Sequence, residues 1–181
     1  MKKIFLITGK AQHGKDTTAN ILKELFEESN EKTLIVHYAD LLKFIAEKYL
    51  NWNGKKDDEG RNILQYIGTD VIRKQNPDMW VNFVITMLSY FQDKYDYIII
   101  PDCRFPNEVI NMQDFFYNTV LLRVNRPNFN NGLNQEQQSH KSETALDDFP
   151  ALITLNNDGS IEDLRNKIYN NKALFMDNIE L

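Results

Sequence analysis

The chain has 181 residues, 42% hydrophobic and 26% charged, enough for one domain with a substantial core. Its 26 acidic residues against 21 basic ones, a net charge of −5, argue against a general nucleic-acid binder, which is usually basic. One cysteine, Cys103, excludes an intramolecular disulfide framework and a multi-cysteine zinc site, and no apolar stretch is long enough to cross a membrane.

Met1-Lys2-Lys3 has the charge of a signal-peptide start, but the apolar run behind it is short and enters a glycine loop. Residues 2–8 therefore read as a buried strand. The loop Gly9-Lys10-Ala11-Gln12-His13-Gly14-Lys15 follows, and then a helix over Thr17 to Ser29 with Ile21, Leu22, Leu25 and Phe26 on one stripe. Thr33 to His37 is a second strand, ending at Tyr38-Ala39-Asp40, and Leu41 to Leu50 a helix. Asn51 to Gly60 is a polar loop, Arg61 to Lys74 a helix, and Pro77 to Gln92 another. Tyr97 to Ile100 is a third strand, Pro106 to Phe115 a helix, and Thr119 to Val124 a fourth strand. Asn125 to Phe149 is polar, with little apolar periodicity; long pieces of this kind are often lids or binding loops. A fifth strand, Leu152 to Leu155, and a helix, Ser160 to Tyr169, close the pattern. Strands alternating with helices predict an α/β fold with a parallel sheet covered on both faces.

The strongest chemical signal is Gly-x-x-x-x-Gly-Lys between a strand and a helix. Gly9 and Gly14 let the backbone bend so that successive N–H groups point at an anion. The positive end of the following helix adds attraction for phosphate, and Lys15 can reach the outer phosphates. Residues 9–17, including Lys10, Ala11, Gln12 and His13, thus form a P-loop expected to hold a nucleoside triphosphate. The usual Ser or Thr after the lysine, which binds magnesium, is replaced by Asp16. Thr17 is then a candidate hydroxyl ligand, and Asp16 is either a metal-side group or a first-turn carboxylate facing the helix dipole.

Asp102 closes the third strand, where an acidic residue faces the ligand crevice; magnesium contact and a turn cap are both open to it. Arg104, in the same turn, suits a bidentate phosphate clamp or a partner for Asp102. On the 61–74 helix, Ile63, Leu64, Ile67 and Val71 form an apolar stripe. Arg61, Gln65, Gly68, Thr69, Ile72 and Arg73 lie opposite, suiting either an anionic ligand with a base or a solvated face. Gly68 costs a helix roughly 1 kcal/mol relative to alanine, which suggests a close approach to its backbone. The end of the fourth strand and the long loop after it carry Arg123, Arg126, His140, Lys141 and Glu143; arginines on a mobile segment above a P-loop suit charge neutralisation during phosphoryl transfer, and a polar surface loop is the alternative.

Gly14-Lys15-Asp16-Thr17-Thr18-Ala19, Tyr38-Ala39-Asp40-Leu41-Leu42-Lys43, Leu64-Gln65-x-x-Gly68-Thr69-Asp70-x-x-Arg73, Trp80-Val81 and Asp102-x-Arg104-Phe105-Pro106-Asn107-Glu108 together resemble the deoxynucleoside monophosphate kinases of bacteriophages and related bacterial proteins. His140-x-Ser142-Glu143 and Asn157-Asp158-Gly159-Ser160 fit the same pattern. The resemblance implies a P-loop kinase fold over residues 1–181: three α/β/α layers, a five-stranded parallel sheet, an acceptor-binding helical region at about 40–92 and a short lid at about 125–149. It implies ATP with Mg2+ as phosphoryl donor and a deoxynucleoside monophosphate as acceptor. Carried over by position, residues 9–17 hold the ATP phosphates, with Asp16, Thr17 and Asp102 on the metal side. Asp40, Arg61, Gln65, Arg73 and Trp80 fall in the acceptor region, with Arg104, His140 and Glu143 also towards the acceptor. Lys15, Asp102, Arg104 and Arg126 are the expected catalytic set, with Arg123 the reserve for Arg126. Small nucleotides are the expected partners, with no stable nucleic-acid binding and no membrane. Kinases of this group are often dimers, so a homodimer stays open, with the Met79–Phe91 helix as core or interface. The expected compartment is a bacterial cytoplasm or that of a phage host. Other phosphorylated acceptors, dephospho-coenzyme A or phosphomevalonate, and a nucleotide switch with weak ATPase are the competing readings.

Overall fold

The computed structural model describes residues 1–55 and 57–176. Strand β1 (Lys3–Thr8) is buried along its whole length, which is why it reads as an apolar run rather than an alternation. Strands β2 (Thr33–Ile35), β3 (Tyr97–Ile100), β4 (Thr119–Asn125) and β5 (Ile153–Asn156) join it in one parallel sheet of order β2-β3-β1-β4-β5. Leu6 lies opposite Ile100 on one side and Leu121 on the other, so β1 is the central strand.

Successive β1 side chains enter different cores. Phe5 and Ile7 pack with helix α1 (Lys15–Glu28), through Ile21, Leu22, Leu25 and Phe26. Ile4 and Leu6 pack on the other face with Leu42, Trp80, Val84, Leu88, Val109 and Met112. Those residues come from α2 (Ala39–Tyr49), α4 (Met79–Phe91) and α5 (Pro106–Phe115). The chain thus leaves β1 towards one face and β3 towards the other. The carboxyl ends of these neighbouring strands diverge and open a crevice, the place where open α/β sheets bind ligands. The three-layer α/β fold with five parallel strands is the expected one.

The connection between α2 and α4 departs from expectation. Instead of one regular helix over 61–74, α3 (Asp58–Gln65) continues as a π-helical stretch over Tyr66–Arg73. Gly68 sits inside this stretch, where a Cβ would lie 2.6 Å from Leu42 Cδ2. Its carbonyl accepts the Trp80 indole N–H at 3.0 Å. Two tertiary contacts therefore converge on one glycine, and the widened turn brings Ile72 onto the core together with Leu64 and Ile67. α-Helical spacing had put Ile72 on the polar side.

The 125–149 segment, expected to be irregular, contains two short helices, α6 (Gln135–Ser139) and α7 (Lys141–Thr144). Asn134 and Gln137 form a capping box on α6, and the His140 side chain accepts the Ser142 N–H on α7. Helices of four or five residues have no periodicity to detect, so caps rather than apolar patterning define them. Ser160 caps α8 (Ile161–Asn170), and a terminal turn not expected from the sequence, α9 (Lys172–Met176), buries Phe175 completely. Among the described residues no helix is long and apolar enough to cross a membrane.

Candidate active site

The β1–α1 loop is built by three residues with positive φ: Gly9 at 144°, Gln12 at 61° and Gly14 at 96°. Gly9 also passes so close to β4 that a Cβ there would lie 2.3 Å from the Val124 carbonyl oxygen. The loop is braced from the neighbouring strand ends. Asn157 Nδ2 donates to the His13 carbonyl at 3.0 Å, and the Arg126 backbone N–H donates to His13 Nδ1 at 3.2 Å. Burial pushes the His13 imidazole below its ordinary range, consistent with a neutral ring accepting at Nδ1.

Lys15 reaches back over the loop and donates to the carbonyls of Gly9 and Lys10, both at 2.8 Å. It is 8% exposed, and its pKa is lowered to about 7, first by burial and then by the charge of Arg104. Both hydrogen bonds go to neutral carbonyls. An anion at the loop mouth therefore offers this ammonium a better partner than its own backbone.

A cavity of about 420 Å³ opens beside the loop. The loop side contributes Ala11, Gln12, Lys15 and Asp16, and the β3 end contributes Asp102, Arg104 and Glu108. The α3–π segment supplies Arg61, Leu64, Gln65, Gly68, Thr69 and Arg73. The cavity thus has cations from both sides, Lys15 and Arg104 by the loop and Lys43, Arg61 and Arg73 from the helices, and its lining also includes the apolar Leu42, Leu64 and Trp80 and the amide of Gln65.

Arg73 is held rigidly. Its guanidinium lies 3.9 Å from the Phe105 ring centroid and donates to Pro77 O at 3.0 Å and Asn107 Oδ1 at 3.2 Å. It is also ion-paired with Glu108. Among the described residues its buried Nε–H has no hydrogen-bond partner. Glu108 is 2% exposed and accepts from the N–H groups of Arg104 at 2.6 Å and Phe105 at 3.0 Å, fixing the β3–α5 turn. Burial pushes the Glu108 carboxyl up while Arg73 pulls it back.

Asp102 accepts from Tyr38 N at 2.9 Å with one oxygen and from Ala39 N at 3.0 Å with the other. It therefore fastens the start of α2 rather than capping its own turn. Asp16 contacts His37 Nε2 at 3.3 Å, and this contact is the main cause of the raised His37 pKa. Among the described residues no three His, Cys, Asp or Glu side chains converge as a metal cage. Magnesium at a nucleotide needs no such cage: one or two carboxylates suffice when phosphates and water complete the shell. Asp16 and Asp102, both on the cavity wall, fit that demand.

The 125–149 segment is fastened to the loop. Glu143 accepts from Ala11 N at 2.8 Å with one oxygen and from Arg104 NH1 at 2.7 Å with the other. Lys10 donates to Glu143 O at 2.7 Å and to Asp147 Oδ2 at 2.6 Å, and Arg104 donates to Ser142 O at 3.2 Å. A carboxylate thus occupies a loop N–H and an arginine that an incoming phosphate would also seek.

Lys15, Asp16, Arg61, Gln65, Arg73, Asp102, Arg104 and Glu143 are thus brought to one cavity. Trp80 lines it too, but it is 4% exposed and its N–H is taken by Gly68, so its role here is to support the helix wall. Other expected residues lie elsewhere. Arg126 stacks on Phe129, 3.9 Å from guanidinium carbon to ring centroid, outside the cavity wall. Arg123 donates to the carbonyls of Leu146, Asp147 and Phe149, stapling the end of the segment. His140 caps α7 and stands 3.9 Å from Asp70. Asp40 contacts His37 and Lys43 at the start of α2, and Thr17 lies half-buried on α1. Glu108, His37, Leu133 and Gln137 are cavity residues to which sequence reasoning gave no role there. Glu108 carried the one readable signal, an acid three residues after a strand-exit phenylalanine.

Known proteins resemble the chain at two levels. Phage T4 (an enterobacteria phage) deoxynucleotide monophosphate kinase is 31% identical over 112 residues, 61% of this chain and 44% of the phage protein. The chain thus matches under half the length of that curated relative. Among solved structures, the Mycobacterium tuberculosis APS kinase CysC in complex with AMPPNP and APS has a TM-score of 0.52 at 9% identity, covering 93% of this chain and 96% of that one. An unliganded sugar kinase from a Janibacter species has a TM-score of 0.54 at 12% identity, covering 94% of each chain. At such identities these two establish the fold alone, that of P-loop kinases. The family model for deoxynucleotide monophosphate kinase matches residues 28–168, and on that match the chain belongs to the deoxynucleotide monophosphate kinase family.

Proposed function

We propose that this protein transfers the terminal phosphoryl group of ATP to a deoxynucleoside monophosphate, giving ADP and the deoxynucleoside diphosphate. The observation that carries this reading is the juxtaposition at one cavity of Lys15, which donates to two loop carbonyls, with Arg61 and Arg73 of the α3–π segment. The cavity volume of about 420 Å³ suits a mononucleotide.

In this reading residues 9–17 cradle the donor phosphates with their N–H groups, and Lys15 exchanges two carbonyls for phosphate oxygens. Asp16, Thr17 and Asp102 would hold Mg2+ directly or through water, and the bound ion supplies charge stabilisation to the transferring group. Arg73 and Arg61 anchor the acceptor phosphate. Gln65 and Thr69 lie towards the nucleoside. Arg104, on the cavity wall and bonded to the 125–149 segment, takes the charge-neutralising role that strand-end reasoning gave to Arg126. The segment acts as a lid, excluding water as a competing acceptor. One unit spans residues 1–181, its acceptor region at 40–92 and its lid at 125–149. The setting is a bacterial or phage-host cytoplasm, where these nucleotides are found.

The test is ADP release with magnesium-ATP against deoxynucleoside and ribonucleoside monophosphates, dephospho-coenzyme A and phosphomevalonate. Turnover with a deoxynucleotide is expected. Turnover with one of the last two alone reassigns the acceptor, and slow acceptor-independent release alone identifies a nucleotide switch.

A further inference from the structure

We propose that Gln137, carried on α6, is a specificity-determining residue whose amide hydrogen-bonds the base of the acceptor nucleotide. The inference rests on the functional reading above and adds a residue to it. Gln137 is 3% exposed although its helix lies on the outside of the fold, because its side chain points into the cavity wall beside Leu133. The segment that carries both residues is tied down at each end. Gln12 Nε2 donates to Asn131 O at 2.8 Å on the glycine-loop side, and Gln137 Nε2 donates to Asn62 Oδ1 at 3.4 Å on the α3 side. Segment 131–137 therefore bridges loop and helix over the cavity.

The bonds of the Gln137 amide are weak for a buried group. The second one, from Asn134 N to its Oε1, is also 3.4 Å long. Both lie beyond the usual range for N–H···O hydrogen bonds, and both partners are exposed residues that water can serve instead. An amide offers two N–H donors and two lone pairs, so one donor and one lone pair remain uncommitted. Gln137 shares the lining of the cavity with Leu42, Leu64, Leu133, Trp80 and Gln65. Apolar walls with two neutral amides suit the face and edge of a nucleobase, not a phosphate. A paired donor and acceptor in a dry site discriminates strongly between edges, because a mismatched base leaves a buried polar group unpaired.

The test uses the full chain with magnesium-ATP and compares wild type, Gln137→Met and Asn62→Ala. The acceptors are the four common deoxynucleoside monophosphates and deoxyribose phosphate, which lacks a base. Gln137→Met keeps length and shape and removes the amide. It is expected to lower kcat/KM for the preferred base by about five- to thirtyfold, the range of one to two neutral hydrogen bonds. The loss appears in acceptor KM, with ATP KM and the deoxyribose phosphate rate unchanged. Asn62→Ala cuts the bridge but leaves the amide, and is expected to keep the wild-type base order. Should the methionine variant melt well below wild type, Gln137→Glu serves instead, since glutamate is favoured at that capping-box position. It is expected to reorder base preference. An equal loss on every acceptor, deoxyribose phosphate included, overturns the proposal, as does an Asn62→Ala variant with the same altered base order. Wild type inactive on every nucleotide overturns the functional reading itself, and this inference with it.

Discussion

Replacing Lys15 by methionine should make the ligand-free protein more stable while abolishing its activity. The ammonium is 8% exposed, and its pKa falls from 10.5 to about 7 on folding, chiefly through burial. At 1.36 kcal/mol per decade, that difference corresponds to about 5 kcal/mol against the charged form. Two carbonyl hydrogen bonds at the low end of the range for a charged donor return about 1.5 kcal/mol each, about 3 kcal/mol together, so a net gain of about 2 kcal/mol is expected for Lys15→Met at pH 6. The sign follows from proton linkage. Between pH 7 and 10.5 the unfolded chain holds a proton that the folded one has released, so wild-type stability rises with pH across that window. It is fully present above 10.5 and lost as pH falls through about 7. Methionine has no such proton, so the variant's advantage should shrink from pH 6 towards pH 10. Urea unfolding of both proteins from pH 6 to 9.5 measures the difference, with common titrations cancelling. Magnesium-ATP should then stabilise wild type, with its phosphates restoring the Lys15 charge, and leave the variant unmoved. A variant less stable than wild type by the same amount at every pH would refute the account of Lys15 as a charge awaiting a phosphate.

Other substitutions probe the remaining parts. Arg73→Ala should raise acceptor KM at least tenfold while changing ATP KM little, because its guanidinium belongs to the cavity wall on the α3–π side; steady-state kinetics with each substrate varied would show it. Glu143→Gln weakens the links to Ala11 N and Arg104, so amide hydrogen exchange over residues 141–147 should accelerate about tenfold or more, as expected for charge-assisted bonds. Trp80→Phe removes the donor to Gly68 O and should lower Tm by about 2–4 °C, one neutral hydrogen bond in a chain of this size. Asp16→Ala separates the two roles open to that residue: a lower Tm with unchanged magnesium dependence marks a helix-dipole carboxylate, whereas a raised magnesium requirement marks a metal-side group.

What could be read from the residues alone depended on how local the cause was. The glycine loop was legible because its bend, its N–H groups and its lysine lie within seven residues. So was the sheet, since each strand is a short apolar run ending at a turn residue. The π-helical stretch was not, because its causes are Leu42 and the Trp80 indole, neither of which belongs to the segment. Arg126 was expected to neutralise charge from the lid, and Arg104 to clamp a phosphate or pair with Asp102. Only the tertiary structure turns Arg104 to the cavity and lays Arg126 on Phe129. Asp102 was read as facing the crevice, which it does, but its two backbone donors sit 64 and 63 residues away in sequence. Gln137 gave no signal at all, since a five-residue helix in a polar stretch has no apolar face to reveal which way it points.

The central claim is phosphoryl transfer between two nucleotides, and following the label from ATP radiolabelled at its terminal phosphate tests it most directly. Incubation with magnesium and the four common deoxynucleoside monophosphates should place the label in a deoxynucleoside diphosphate, and Lys15→Met should place it nowhere. Label recovered only as inorganic phosphate, at a rate indifferent to the monophosphates, would contradict the account.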